Sequence, residues 1–188
     1  MSESIRGQFL IAGKKLHDSN FNKSVVLMVE HNSEGSMGLI VNRPSTVTVS
    51  DALSEHFELP DTDALVYIGG PVEPSALFIL HNRSELNGSE LAVVPNLYVG
   101  NSPEIFETVV RRSPDDDPEM WFQIYCGCAG WSGGQLEDDL NRGDWFLLPA
   151  PANPLTQGTP YDIWDDLRSQ VHRLPDIHPG EHDHPEWN

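Results

Sequence analysis

Cations are scarce in this 188-residue chain: 11 Lys and Arg face 29 Asp and Glu, a formal net charge of -18 with histidine neutral. A field of that sign repels phosphate backbones and anionic headgroups, and so few cations release few counterions on binding. Direct nucleic-acid binding is excluded as an expectation. Long apolar runs are lacking too. The longest, residues 24–29, falls far short of the ~20 residues that span a bilayer. Met1-Ser2-Glu3-Ser4 has neither the basic start nor the apolar core of a secretory signal. A cytoplasmic protein without membrane contact is expected. Cysteine is nearly absent: Cys126 and Cys128 flank one glycine, too close together to close a useful loop, and a structural metal site needs four ligands. On one face of a strand, they read as small buried apolar residues, with no disulfide framework, metal or cofactor expected.

What is present reads as one domain, since a domain holds roughly 100–200 residues. The run at 24–30 is β-branched and does not alternate, so it suits a strand buried on both faces. Strands are also expected at 8–12 and 37–41, and Asn32-Ser33-Glu34-Gly35 supplies a hairpin turn between the second and third. If those four residues turn, paired positions sum to about 67, which sets Ser24 opposite Arg43 and Val25 opposite Asn42. Asn20, Phe21, Ser24, Asn42 and Arg43 then share one end of the hairpin. Glu30 and His31 lie at the other, roughly 20 Å away at 3.3 Å per residue.

After Thr48, the spacing of Val49, Ala52, Leu53, His56 and Phe57 predicts a helix with His56 half-buried. Further strands are expected at 65–68, 76–80 and 91–94, the last two separated by the Asn87-Gly88 turn. Ser102 followed by Pro103 starts a second helix that closes at Arg111-Arg112. Asp115-Asp116-Asp117, between Pro114 and Pro118, reads as a solvated connection. A strand at 121–126, a glycine-rich turn, a helix at 133–141 and a strand at 145–148 follow. Thr159-Pro160-Tyr161-Asp162 is read as a capping box opening a last helix with Ile163, Trp164, Leu167 and Val171 on one face. Residues 175–188 hold three prolines, three histidines and four acidic residues, too polar to offset the entropy of ordering. The expectation is therefore a domain over 1–174 with a flexible tail at 175–188. Its fold class is α+β, a mixed sheet with an antiparallel N-terminal hairpin flanked by about four helices.

Gly130-Trp131-Ser132-Gly133-Gly134 matches the G-x-S-x-G nucleophile elbow, between an expected strand and an expected helix. In that reading Ser132 attacks a carbonyl, the Gly133 amide holds the oxyanion, and Asp162, Asp165 or Asp166 with His172 or His178 completes a triad. A capping box of Ser132 with Gln135 explains more, because Glu137, Asp138 and Asp139 suit early helical turns and repel an incoming anion. Arg43 can anchor a carboxylate with help from Asn20 and Asn42, or serve structurally by holding loop carbonyls or an acidic side chain; the structural use is the commoner. His31 and His81 each end a strand without metal-ligand company and read as hydrogen-bonded structural groups. His178, Glu181, His182, Asp183 and His184 read as solvated rather than chelating.

In order along the chain, Gly7-Gln8-Phe9-Leu10-Ile11-Ala12, Asp18-Ser19-Asn20-Phe21, Ser24-Val25-Val26-Leu27, Glu30-His31, Gly35-Ser36-Met37-Gly38-Leu39-Ile40-Val41-Asn42-Arg43-Pro44, Tyr67-Ile68-Gly69-Gly70-Pro71-Val72, Leu80-His81 and Ala129-Gly130-Trp131 with Gly134-Gln135-Leu136-Glu137 resemble the AlgH/YqgE family. The likeness covers about residues 7–150. It implies a single-domain bacterial cytosolic protein, a mixed α+β sandwich and no established activity. The family's name stems from a proposed role in transcription of alginate genes, which here implies at most an indirect regulatory role, given the charge. The resemblance also places Ser132 at a variable position, which weakens the hydrolase reading. Its motif residues best suited to bind something are Asn20, Ser24, Asn42, Arg43, His81, Trp131 and Gln135. The chain departs from the pattern at residues 13–15, at Cys126-Gly127-Cys128 and after Pro175. The leading expectation is a non-enzymatic binding or indirect regulatory protein for a small anionic molecule or a peptide. The alternatives are a small serine hydrolase using Ser132 and an acidic module that meets a basic partner protein.

Overall fold

The structure is a computed structural model and describes residues 4–59, 62–86, 91–112, 117–151 and 159–173. Strands β1 (Gln8–Ala12), β2 (Val25–Asn32) and β3 (Gly35–Ile40) form an antiparallel meander, with Leu10 opposite Val26 and Leu27 opposite Leu39. Residues 25–29 of β2 are all buried, as a non-alternating run between two packed faces requires. The hairpin register follows the sum expected near the turn, with Asn32 opposite Gly35 and Glu30 opposite Met37. An irregularity between Met28 and Glu30 then shifts it by one, so Met28 faces Gly38 and Val26 faces Ile40. The expected pairing of Val25 with Asn42 is thereby corrected: the Val41 amide donates to the Val25 carbonyl at 2.9 Å. A bulge inserts one unpaired residue, and no local pattern announces it.

Strand β4 (Pro44–Thr48) runs at one edge beside β5 (Leu65–Ile68), and β6 (Val72–His81) carries the short edge strand β7 (Tyr98–Gly100). Strand β8 (Phe122–Ser132) ties everything together. Its first half pairs with β5 in parallel and with β6 antiparallel, and its second half pairs with β3, setting Trp131 opposite Ser36. Strand β9 (Trp145–Pro149) closes the other edge against β1. The nine strands among the described residues thus form one mixed sheet.

The expected turn after Cys126 is in fact the middle of β8. Its glycines serve close backbone approach rather than chain reversal. A Cβ on Gly69 would stand 2.3 Å from the Gly127 carbonyl oxygen, and one on Gly127 2.4 Å from that of Gly70. Gly127 also has φ of 69°, a left-handed conformation that breaks the in-out alternation of β8. Before it, Ile124 and Cys126 serve one core, with Val49, Leu53, Val66, Ile79, Phe106 and Val109. After it, Cys128, Ala129 and Trp131 join the main core built on β1, β2 and β3. The two thiols therefore do not share a face, and burial pushes both pKa values up.

The helices are α1 (Val49–Leu53), α2 (Pro103–Arg111), α3 (Gln135–Arg142) and α4 (Ile163–Val171). Thr48 caps α1, accepting from the Asp51 amide at 3.1 Å, and Ser102 caps α2, accepting from the Ile105 amide at 3.4 Å, with Pro103 opening the helix. Helix α1 stops short of the predicted stripe, leaving His56 exposed rather than half-buried. Pro160 lies in a turn before α4, where the Thr159 hydroxyl donates to the Asp162 carboxylate at 2.6 Å instead of capping an amide. A hydroxyl donating to a charged carboxylate makes a short, strong bond. The strand expected at 91–94 reduces to a bridge between Val94 and Leu97. Of the acidic run, Asp117 forms an ion pair with Arg83, which holds its carboxyl below the usual value. The rest of that run, the Asn87-Gly88 turn and the tail at 175–188 lie outside the described residues. No described helix is long and apolar enough to cross a membrane.

Candidate functional site

The loop between β1 and β2 gathers four of the sequence-predicted residues. Arg43 donates to the carbonyls of Asn20 and of Asn22, the latter at 3.3 Å, and burial pulls its pKa down. Asn42 accepts from the Val25 amide and donates to the Lys23 carbonyl, both at 2.9 Å. Ser24, fully buried, donates from its hydroxyl to the Phe21 carbonyl at 2.8 Å. Phe21 in turn stacks on Trp131 at 5.9 Å and meets Trp145 edge-on at 5.5 Å. Asn20, Ser24, Asn42, Arg43 and Trp131 thus stand close together, with the side chains of Ser24, Asn42 and Arg43 bonded to the loop backbone. A left-handed Lys23, φ 53°, closes that loop, and its ammonium lies 5.5 Å over the Trp164 ring.

Gln135 and His81 stand apart from that group. The Gln135 side-chain oxygen accepts from the Ser132 amide at 3.0 Å and from its hydroxyl at 3.2 Å. That is one arm of the expected capping box; the cap position itself is Gly134, with φ of 80° and no side-chain bond. Ser132 therefore donates to an amide oxygen and not to a histidine. The positive-φ residues other than glycine are Lys23, Glu73 and Asn96 among the described residues, so Ser132 lacks an elbow's strained backbone. His172 ends α4, which lies against β1 and β9. His31, the imidazole on the hairpin, meets Glu137 at 3.1 Å through Nε2 and accepts from the Ile5 amide at 3.4 Å through Nδ1, tying α3 to the N-terminal segment.

A cleft of about 520 Å³ opens elsewhere, between the β2–β3 hairpin and β7. Its walls are Val29, Met37, Phe78, Val93 and Val99, with Glu30 and Asn101 exposed along it. Arg6 also lines it, and each of its three guanidinium nitrogens donates to a carbonyl, of Val29 at 2.8 Å, Ala92 at 2.7 Å and Leu91 at 2.8 Å. That clamp seats residues 91–93 against β2. Gly7 makes the fit possible, because a Cβ there would stand 2.4 Å from the Val93 carbonyl oxygen. The cleft therefore combines apolar side chains with the exposed Glu30 carboxylate, which has no hydrogen-bond partner among the described residues, and the carbonyl-bound Arg6 guanidinium. A volume of a few hundred Å³ with few polar groups is the usual form of a ligand pocket.

A family model described as AlgH-like matches residues 9–174. The chain belongs to this AlgH-like family. It is 35% identical over 144 residues to a UPF0301 protein, CT0663, of Chlorobaculum tepidum, covering 77% of this chain and 74% of the relative. It is 37% identical over 151 residues to a UPF0301 protein of Ralstonia pickettii, covering 78% and 77%. Among solved structures, the AlgH protein of Pseudomonas aeruginosa superposes with a TM-score of 0.73 at 28% identity, covering 96% of this chain and all of that one. Protein DIP2367 of Corynebacterium diphtheriae shares the fold, with a TM-score of 0.69 at 24% identity over 94% of this chain and 90% of that one. These relatives are uncharacterised, and none of their names carries an enzymatic activity.

In this AlgH-like chain His81 is fully buried at the end of β6, stacked on Tyr98 at 5.8 Å. Its Nδ1 accepts from the Arg83 amide at 3.3 Å and its Nε2 has no partner among the described residues. Burial lowers its pKa below the ordinary 6.5. As pH falls through that ordinary value, unfolded chains take up a proton that the folded imidazole refuses, so folding stability drops with pH. Urea melts at pH 7 and pH 5 are expected to show a smaller loss for His81→Gln than for the wild type.

The cleft escaped the sequence reading because six separate segments each supply one to three lining residues, and no spacing rule connects them. Glu30, the residue that breaks the apolar run of β2 and emerges exposed, is the one local signal that marked the place.

Proposed function

We propose that this protein is a non-enzymatic cytoplasmic binding protein that acts on other processes through what it holds, and that the β2–β3/β7 cleft is its binding site. One observation carries the reading: Val29, Met37, Phe78, Val93 and Val99 line an open cleft of about 520 Å³, with Arg6, Glu30 and Asn101 among them. Burying an apolar group there gains roughly 25 cal/mol per Å² of surface removed from water, which drives binding without any reactive group. The Arg43 corner supports an anionic ligand less well, since its guanidinium is already engaged by loop carbonyls. The free thiols Cys126 and Cys128 fit a reducing compartment.

A neutral apolar probe, N-phenyl-1-naphthylamine, tests this by its fluorescence gain on entering an apolar site. The wild type and Ser132→Ala are expected to bind it equally. Met37→Glu, which places a carboxylate in the wall, is expected to weaken it at least tenfold. Equal binding by Met37→Glu counts against the cleft, and labelling of Ser132 by a fluorophosphonate would revive the hydrolase alternative.

A further inference from the structure

Resting on that reading of the cleft, we propose that its occupant is an extended peptide segment of a basic partner protein, added as a strand to the open edge of β7. Strand β7 is hydrogen-bonded only to β6 among the described residues, so its other edge carries backbone donors and acceptors without a ladder partner. Val99, Gly100 and Asn101 line the cleft, which sets that segment of chain beside the apolar side chains of Val29, Met37, Phe78 and Val93. Unpaired backbone groups beside apolar walls are matched by another backbone, whose own groups they satisfy; an apolar small molecule leaves them bare. Three residues of β7 span roughly 10 Å at 3.3 Å per residue, room for a short segment with alternate side chains directed inward.

Charge selects the partner. Glu30 stands exposed along the cleft; Arg6 also lines it and keeps its charge while donating to three carbonyls, so the bias toward a cation comes from Glu30 together with the field of the whole chain. The chain as a whole carries -18, so a segment bearing Lys or Arg at its outward positions is drawn in and an acidic one is repelled. Leu91, 79% exposed beside the opening, extends the apolar surface toward such a partner.

The probe is a fluorescein-labelled hexapeptide, Val-Lys-Val-Lys-Val-Lys, blocked at its C-terminus and followed by fluorescence anisotropy with the full chain at low and high salt. Binding is expected to weaken at high salt, by at least tenfold in Glu30→Lys, and by at least tenfold when the valine amides are N-methylated, which leaves side chains and charge in place but removes backbone donors. Equal affinity for the N-methylated peptide would overturn strand addition, and equal affinity for Val-Glu-Val-Glu-Val-Glu would overturn the basic partner. If naphthylamine enters the cleft while the hexapeptide does not bind, this proposal fails and the binding-site reading stands. If neither binds, both fail.

Discussion

Trp131→Ala is expected to lower the free energy of unfolding by about 3–5 kcal/mol, the range for removing a buried large aromatic from a core. The side chain is 6% exposed and joins three rings in mutual contact: Trp131 with Phe21 at 5.9 Å, Trp131 with Trp145 at 5.8 Å, and Phe21 with Trp145 at 5.5 Å. Each such pair contributes about 0.5–1.5 kcal/mol beyond the area it buries. The cluster also pins the β1–β2 loop to β8 and β9, so the loop bonds made by Arg43 and Asn42 loosen with it. Stability of a whole domain is only about 5–15 kcal/mol. Guanidinium unfolding followed by circular dichroism checks the loss, and Trp131→Phe, which keeps a ring, is expected to cost clearly less.

Gly127→Ala is expected to cost about 2–5 kcal/mol, combining about 1–2 kcal/mol for a left-handed non-glycine residue with about 1–3 kcal/mol for overpacking. At φ of 69°, its new Cβ would lie 2.4 Å from the Gly70 carbonyl oxygen and 3.0 Å from that of Val72. The first oxygen belongs to the β5–β6 connection and the second to the first residue of β6, which together press on β8 where its alternation breaks. Gly130→Ala is the control, since a Cβ there meets only Val72 Cγ2 at an ordinary 3.5 Å. It is expected to cost under about 1 kcal/mol, and parallel urea melts of the two variants give the comparison.

How far this fold can be read from its residues depends on how local each cause is. The buried run of β2, the Asn32–Gly35 turn and the Ser102-Pro103 start of α2 each follow from a few neighbouring side chains, and all stand where expected. Long-range causes were invisible. Gly69, Gly70 and Gly127 look like turn residues, yet they are glycine because two backbone segments converge there. That convergence is why β8 continues past Cys126 and why Cys126 and Cys128 serve different cores. Strands β4 and β7 are brief edge segments with little apolar pattern, and pairing alone makes them strands.

The same division governs the sites. A structural Arg43, holding loop carbonyls or an acidic side chain, is the commoner of the uses open to it, and the structure has it on the carbonyls. Ser132 matched a motif whose decisive part is the backbone around it, a feature that the letters do not encode. The cleft is wholly tertiary, built where the Arg6 clamp draws residues 91–93 onto β2.

Amide and methyl chemical-shift mapping of the wild-type chain, titrated with the Val-Lys hexapeptide, tests the central claim that recognition occurs in that cleft. The account predicts shifts concentrated at Val29, Met37, Val93, Val99, Gly100 and Asn101. Shifts concentrated instead at Asn20, Asn42 and Arg43, or around Ser132 and Gln135, would contradict it.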